Sequence, residues 1–289
     1  MNKKITSFNN GLYLVATPIG NLADISGRAI KILKESEIIL CENPFHSLKL
    51  LKNYGINNKL ISLHDYNEER LIKKLSKSLS ESLISLISDA GTPLISDPGY
   101  KLVKHCIKND IAVTSVPGPC SVISALQLSG TPLNQFTFNG FIPKKIKQAE
   151  DLFIKCVHNT STQVFFSSSN RILSNIAILQ KYFKKREIAV CRELTKVNEQ
   201  VVRGSTENII KKLTSKANKL KGEFVIVVEG NNQTYEEKLD DKTISAIIGI
   251  SKKFSLTDTV KIVHKLTKLS KKSLYEKTLQ ITKKKNEKY

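Results

Sequence analysis

Ser88-Asp89-Ala90-Gly91-Thr92-Pro93-Leu94-Ile95-Ser96-Asp97-Pro98-Gly99-Tyr100 lies between an apolar run, Leu83-Ile84-Ser85-Leu86-Ile87, and a segment with helical spacing, Lys101–Ile107. The run before it reads as a buried strand. A strand, a stiff loop and a helix in succession make the usual ligand cradle of an open α/β sheet, at the carboxyl end of the strand. Two prolines and two glycines fix one backbone shape instead of allowing many. Asp89, Asp97 and the hydroxyls of Thr92 and Ser96 then stand on a rigid frame. The plainer alternative is a long surface turn, but functional groups concentrate on loops held by a rigid scaffold.

Working outward, strands and helices alternate through the first half. Leu12–Ala16, Ile38–Cys41, Leu60–Leu63, Leu83–Ser88 and Ala112–Val116 read as strands. Arg28–Lys34, Leu48–Asn53, Glu68–Leu79 and Ser121–Leu128 read as helices. Such alternation predicts a largely parallel sheet covered on both faces. All eight prolines lie between Pro18 and Pro143, which makes Gly140–Lys145 a plausible boundary. Beyond it, helices are expected at Ala149–His158, Arg171–Phe183 and Thr206–Thr214. Extended segments are expected at Thr162–Phe166, Glu187–Cys191, Gln200–Arg203 and Glu223–Glu229, giving a second α/β domain. The polar stretch from Asn231 to Thr243 reads as a linker. Ser255-Leu256-Thr257-Asp258 resembles a capping box, with Asp replacing the usual Glu. Leu256, Val260, Val263 and Leu266 then follow at helical spacing, and after a break at Leu269-Ser270, Leu274, Tyr275 and Leu279 mark a second helix. The expected organisation is an N-terminal α/β domain over 11–143, a C-terminal α/β domain over 144–232 and a small basic helical domain over 244–289.

The chain has 289 residues, 40% of them hydrophobic, and a formal net charge of +20. That excess points to a polyanionic partner, although Lys enrichment by compositional drift would also produce it. Its distribution is more telling: residues 252–289 carry twelve Lys against three acidic residues. Five scattered cysteines form no C-x-x-C and have no His at metal-ligand spacing, so free thiols in a reducing compartment, and no metal, are expected. The first apolar run, Leu12–Ala16, is too short for a signal-peptide core, and no stretch approaches a membrane span. A cytoplasmic protein is expected.

Three loops follow strand ends: Thr17-Pro18-Ile19-Gly20-Asn21, Asp89–Gly99, and Val116-Pro117-Gly118-Pro119-Cys120-Ser121. All three would lie at one edge of a parallel sheet. Neither a G-x-x-x-x-G-K-[ST] phosphate loop nor a G-x-G-x-x-G after the first strand is present. Together with Leu12–Leu22, Gly140-Phe141-Ile142-Pro143-Lys144, Arg192-Glu193-Leu194-Thr195-Lys196 with Glu199 and Arg203-Gly204, and Lys221-Gly222-Glu223-Phe224, these loops resemble the ribosomal RNA small subunit methyltransferase I family, a branch of the tetrapyrrole methylase superfamily. The resemblance spans about residues 11–230, and Phe254–Thr282 is similar to the family's small helical C-terminal domain. It implies S-adenosylmethionine bound in a cleft between two α/β domains, 2′-O-methylation of a decoding-centre cytidine ribose in the 16S rRNA of the small ribosomal subunit, and a homodimer. The loops at the sheet edge put the donor against Pro18, Thr92, Ile95, Cys120 and Ser121 of the first domain, and the resemblance adds Phe166 and Ser167 of the second. Two stretches depart from the pattern. Cys41-Glu42-Asn43-Pro44-Phe45-His46-Ser47 stands for A-E-D-T-R-H-T, and Phe165-Phe166-Ser167-Ser168-Ser169-Asn170-Arg171 for F-Y-E-S-P-H-R.

Methyl transfer from a sulfonium is an in-line displacement from an activated donor, so positioning and removal of a proton remain for the protein. A ribose hydroxyl needs a base or a polarising cation. The catalytic candidates are Glu42, His46, Glu193 and Lys196, with Asp24, His64 and Asp65 as further options; each is also an ordinary structural hydrogen-bonder. Arg28, Arg171, Arg192 and Arg203 stand out in a chain that uses Lys for most of its positive charge. They are suited to bidentate phosphate contact or to salt bridges with Glu193 or Glu199. Two other functions fit parts of the sequence. A tetrapyrrole C-methyltransferase accounts for the donor loops but not the Lys-rich tail. A catalytically degenerate ribosome-binding factor would account for the changes at Ser167–Asn170.

Overall fold

The computed structural model describes residues 8–183, 186–214, 220–231, 241–267 and 271–286. The chain forms two compact units, Met1–Asn231 and Asn232–Tyr289. In the first, β1 (Gly11–Val15), β2 (Ile38–Cys41), β3 (Lys59–Ser62), β4 (Leu83–Leu86) and β5 (Val113–Val116) make a sheet in the order β3-β2-β4-β1-β5. Every pair in it is parallel. β2 and β4 are buried at every residue, as the short unbroken apolar runs of Ile38–Cys41 and Leu83–Leu86 require of strands covered on both faces. The connections are α1 (Gly27–Glu35), α2 (Pro44–Lys52), α3 (Glu68–Glu81) and α4 (Tyr100–Lys108). One face packs Leu71, Leu75, Leu79 and Leu102 of α3 and α4; the other packs Ile32 and Leu33 of α1 with Leu51 of α2.

α2 starts at Pro44, four residues before the apolar spacing that announced it. The Asn43 side chain accepts from the amides of Phe45 and His46, and Pro44 occupies the first turn, where its missing N–H is not needed. The family departure at Asn43-Pro44 therefore keeps a well-formed helix start.

α5 (Ser121–Ser129) follows β5 in sequence but packs elsewhere. Its Val122, Ala125 and Leu126 pack with Val164, Ala189, Val225 and Val227 of the second sheet. That sheet, β6 (Phe136–Phe141), β7 (Thr162–Ser168), β8 (Ile188–Arg192), β9 (Gln200–Gly204) and β10 (Glu223–Val228), runs in the order β6-β7-β10-β8-β9. Only β6 and β7 are parallel; the other pairs are antiparallel. Its other face is covered by α6 (Ile146–Cys156), α7 (Ile172–Tyr182) and α8 (Thr206–Thr214), around Phe153, Phe165, Phe183 and Phe224. β6 was not foreseen. Gly140, offered by the sequence as a boundary, sits inside it at φ +70°, at a register shift between Phe138 and Phe141. The change of sheet thus falls before Phe136.

The second unit is helical: α9 (Asp241–Ser251), α10 (Leu256–Thr267) and α11 (Lys271–Asn286), around Ile247, Val260, Val263 and Leu274. α9 starts within the stretch expected to be a linker. The Ser255 hydroxyl accepts from the Asp258 amide (3.1 Å) and donates to its carboxylate (2.7 Å), the capping role assigned to this pair. The expected break at Leu269-Ser270 lies outside the described residues. No helix among the described residues is long and apolar enough to cross a membrane.

Candidate functional site between the two sheets

β1 connects to β2 on one side of the first sheet and β4 to β5 on the other, so the switch in winding falls between β4 and β1. A crevice opens outside the carboxyl ends of strands at such a point. The three sequence-singled loops meet there. Thr17 and Gly91 exchange two backbone hydrogen bonds, 2.9 and 3.1 Å, tying the β1 and β4 loops together. The Thr92 hydroxyl donates to the Pro119 carbonyl at 2.9 Å, tying in the β5 loop. Leu94 and Ser96 hold positive φ (72° and 73°), a conformation that costs non-glycine residues energy and is found at constrained functional positions. Glu193 and Thr195 do the same on the opposite side (51° and 65°).

These loops wall a cleft of about 390 Å³ against the β7, β8 and β10 ends of the second sheet. Thr92, Ile95, Cys120 and Ser121 line it from the first sheet, and Phe166 and Ser167 from the second. Pro18 is buried and does not line it; its neighbour Ile19 does. Phe166 is held edge-on by Phe138 (4.9 Å) and Phe141 (5.2 Å). Ser167 accepts from Asn175 at 2.8 Å, so this Ser is part of a hydrogen-bonded wall.

The four catalytic candidates do not converge on the cleft. Glu42 sits on the β2–α2 connection and His46 in the first turn of α2, both exposed and outside the lining. Burial and the charges of Asp89 and Asp65 raise Glu42 above the ordinary carboxylate range, against the opposing effect of His64. Lys196 donates to Glu193 (2.9 Å) and Glu223 (3.0 Å), and Glu193 also accepts from the Glu223 amide at 3.0 Å. Burial alone would raise Glu193, but these hydrogen bonds and the Lys196 charge outweigh it and hold its carboxyl below the usual range. This triad braces the loop after β8 at the rim, where Glu223 lines the cleft. Further from it, Asp24 ends a short 3-10 turn, and Asp65 and His64 stand after β3.

All four conspicuous arginines clamp backbone carbonyls. Arg28 reaches Ser115 (2.9 Å), Arg171 Ile142 (2.8 Å), Arg192 Lys221 (2.9 Å) and Arg203 Leu128 (2.8 Å). None has a salt bridge to Glu193 or Glu199 among the described residues.

The residue that sequence reasoning left out of its site set is Asp97. It lines the cleft and is half-buried. Burial, with the charges of Glu42 and Asp89, outweighs a hydrogen bond with Ser88 and pushes its carboxyl up to about 6. The loop that contains it was singled out, but burial beside two other acids is a tertiary property. Phe141, Ser168 and Glu223 also line the cleft.

Comparison with known proteins places this geometry. Residues 11–210 match the family model described as Tetrapyrrole (Corrin/Porphyrin) Methylases. The ribosomal RNA small subunit methyltransferase I of Vibrio cholerae is 37% identical over 95% of this chain and 96% of its own. That of Rickettsia prowazekii is 40% identical over 92% and 95%. A crystal structure of uroporphyrin-III-C-methyltransferase from Thermus thermophilus superposes with a TM-score of 0.54 at 17% identity, covering 76% of this chain and 94% of that one, a likeness of fold. The chain therefore belongs to the tetrapyrrole methylase family and, within it, to the ribosomal RNA small subunit methyltransferase I family.

Proposed function

We propose that this methyltransferase moves a methyl group from S-adenosylmethionine to the ribose 2′-hydroxyl of a decoding-centre cytidine in 16S rRNA. The observation that carries the reading is the cleft between the sheets, in a chain that matches small-subunit rRNA methyltransferases over nearly its whole length. About 390 Å³ suits a nucleoside-sized ligand. Ile95, Phe166 and Leu194 offer apolar surface for a purine and ribose, and Asp89 offers negative charge near a sulfonium and ammonium. Thr92, Ile95, Cys120 and Ser121 would hold the donor from one wall, and Phe166 and Ser167 from the other. The donor supplies a methyl group already activated for displacement. The protein orients the acceptor hydroxyl, excludes water and takes up its proton.

The substrate in this reading is an assembled small ribosomal subunit, because shape is a main basis of RNA recognition. The Lys-rich tail serves as a phosphate clamp through Lys271, Lys272, Lys283, Lys284 and Lys285. The protein acts in the cytoplasm, as a homodimer. The division into an N-terminal α/β part, a C-terminal α/β part and a helical part, expected over 11–143, 144–232 and 244–289, remains part of the proposal, with the first boundary moved ahead of Phe136 and the two α/β parts packed as one compact unit. Mapping ribose methylation on 16S rRNA from cells with and without this gene tests it: one 2′-O-methyl group at the decoding centre should appear only with the gene. Unchanged rRNA, or methylation of a tetrapyrrole instead, would reject it.

A further inference from the structure

We propose that Asp97 accepts the proton of the ribose hydroxyl during methyl transfer, an inference that rests on the function proposed above. Three acidic side chains line the cleft among the described residues: Asp89, Asp97 and Glu223. Glu223 is ion-paired with Lys196 at 3.0 Å, and Asp89 accepts from the Asn43 amide at 3.2 Å. Lys196, holding its proton between two carboxylates, cannot accept another. Glu193 is locked by Lys196 and the Glu223 amide and is a weakened base. Glu42 and His46 lie outside the lining.

Asp97 differs from Lys196, Glu193 and Glu223 in having no ion pair, and from Asp89 in taking no backbone amide among the described hydrogen bonds. No cation is paired with it among the described ion pairs. It is carried between Ser96, fixed at φ 73°, and Pro98, on the loop where Leu94 is also left-handed. This frame holds the carboxyl in place without neutralising it. The charged groups that bear on it are Glu42 from the β2–α2 connection and Asp89 from its own loop, with Ser88 as hydrogen-bond partner. Glu223 and Lys196 belong to the opposite wall, and Asp65 and His64 act on Glu42. Two neighbouring acids and burial make the carboxylate a better proton acceptor than an ordinary one, yet with its value at about 6 it is mostly ionised at neutral pH. A general base works best when poised in this way.

The step balances simply. The hydroxyl proton passes to the Asp97 carboxylate while the oxygen's electron pair forms the new bond to the methyl carbon. The carbon–sulfur bond breaks with its electrons on sulfur, and the proton later leaves Asp97 for water.

The test uses the full-length protein and purified small subunits from cells lacking the gene. Asp97→Asn is expected to keep its melting temperature, donor affinity by calorimetry and particle affinity, while turnover falls about 100-fold or more. The wild-type rate should show an acid limb near pH 6 that is absent in D97N. E42Q, which removes one of the neighbouring charges, should move that limb to lower pH. D97N turnover within about threefold of wild type would overturn the proposal. So would loss of donor affinity in parallel with turnover, which would make Asp97 a partner of the donor's positive charge. Should D97N fail to fold, a wild-type profile without an acid limb, or one that E42Q leaves unmoved, overturns it, and the opposite profile supports it. Wild-type protein that leaves rRNA unmethylated would reject both this proposal and the proposed function, and that outcome is seen without any variant.

Discussion

Gly20→Ala probes the contact that shuts the cleft. A Cβ at Gly20 would stand 3.1 Å from the Leu194 carbonyl oxygen and 2.9 Å from the Thr195 hydroxyl, and would collide with the Lys196 side chain. Thr195 can rotate and Lys196 can bend, but the Leu194 carbonyl is backbone, braced by the Lys196–Glu193–Glu223 triad. One methyl group forced into such a contact costs about 1–3 kcal/mol. A 2 kcal/mol loss lowers the melting temperature of a domain this size by about 4–8 °C. Because the β1 loop and the loop after β8 face each other across the cleft rim, donor affinity should fall with it, by about tenfold for each 1.4 kcal/mol spent on separating the walls. Gly27→Ala is the control. A Cβ there meets nothing within 4 Å, and its helical position should leave stability equal or higher by up to about 1 kcal/mol. Circular-dichroism melts and calorimetric titration with S-adenosylmethionine give both readings. If G20A melts with wild type and binds the donor equally well, the two loops do not touch as described and the closed cleft is wrong.

Thr92→Phe fills the cradle and removes the bond to Pro119; a folded variant should lose most of its donor affinity by calorimetry, and unchanged affinity would move the donor elsewhere. Replacing Lys271, Lys272, Lys283, Lys284 and Lys285 with Gln should weaken particle binding and flatten its log–log salt dependence by roughly 0.7 for each phosphate no longer neutralised. An identical slope would make the tail charge mere solvation. Glu193→Gln should destabilise the protein at pH 7 by about 1 kcal/mol. Since the folded Glu193 carboxyl is depressed, its stabilisation is full above its unfolded value of about 4.3 and fades as pH falls through the folded value. The wild-type advantage in denaturant midpoint should therefore be constant from neutral pH to about pH 5 and shrink below it.

The first sheet was legible because β1, β2 and β4 are short apolar runs followed within five residues by Pro18, Pro44 and Gly91, and these strand-end loops are stiff enough to read individually. β6 was not: Phe136-Thr137-Phe138 alternates over only three residues before Asn139 and Gly140, and its partner β7 lies beyond a helix. α9 was missed because Ile244, Ile247 and Ile248 follow directly on a polar run, so their spacing was not followed back to Asp241. Of the residues grouped from the sheet-edge loops and the resemblance, Thr92, Ile95, Cys120, Ser121, Phe166 and Ser167 line one cleft and Pro18 does not. The catalytic candidates fared differently, because residue type says nothing of pairing. Lys196 and Glu193 neutralise each other at 2.9 Å, whereas Asp97 draws its character from burial and from Glu42, a residue on another connection.

α5 gives the molecule an order of construction. Its apolar side, with Val122, Ala125 and Leu126, is synthesised with the first sheet but finds its cover in β7, β8 and β10 of the second. A nascent chain must therefore carry that exposed helix until Glu223–Val228 has left the ribosome, a period when an intermediate is open to aggregation or chaperone capture. Since Cys120 and Ser121 at the head of α5 line the cleft, the binding site is completed by the last strand made. A truncated product of this gene ending before β10 would possess the loops from Ile19 to Leu194 but lack the wall that Glu223–Val225 give the pocket.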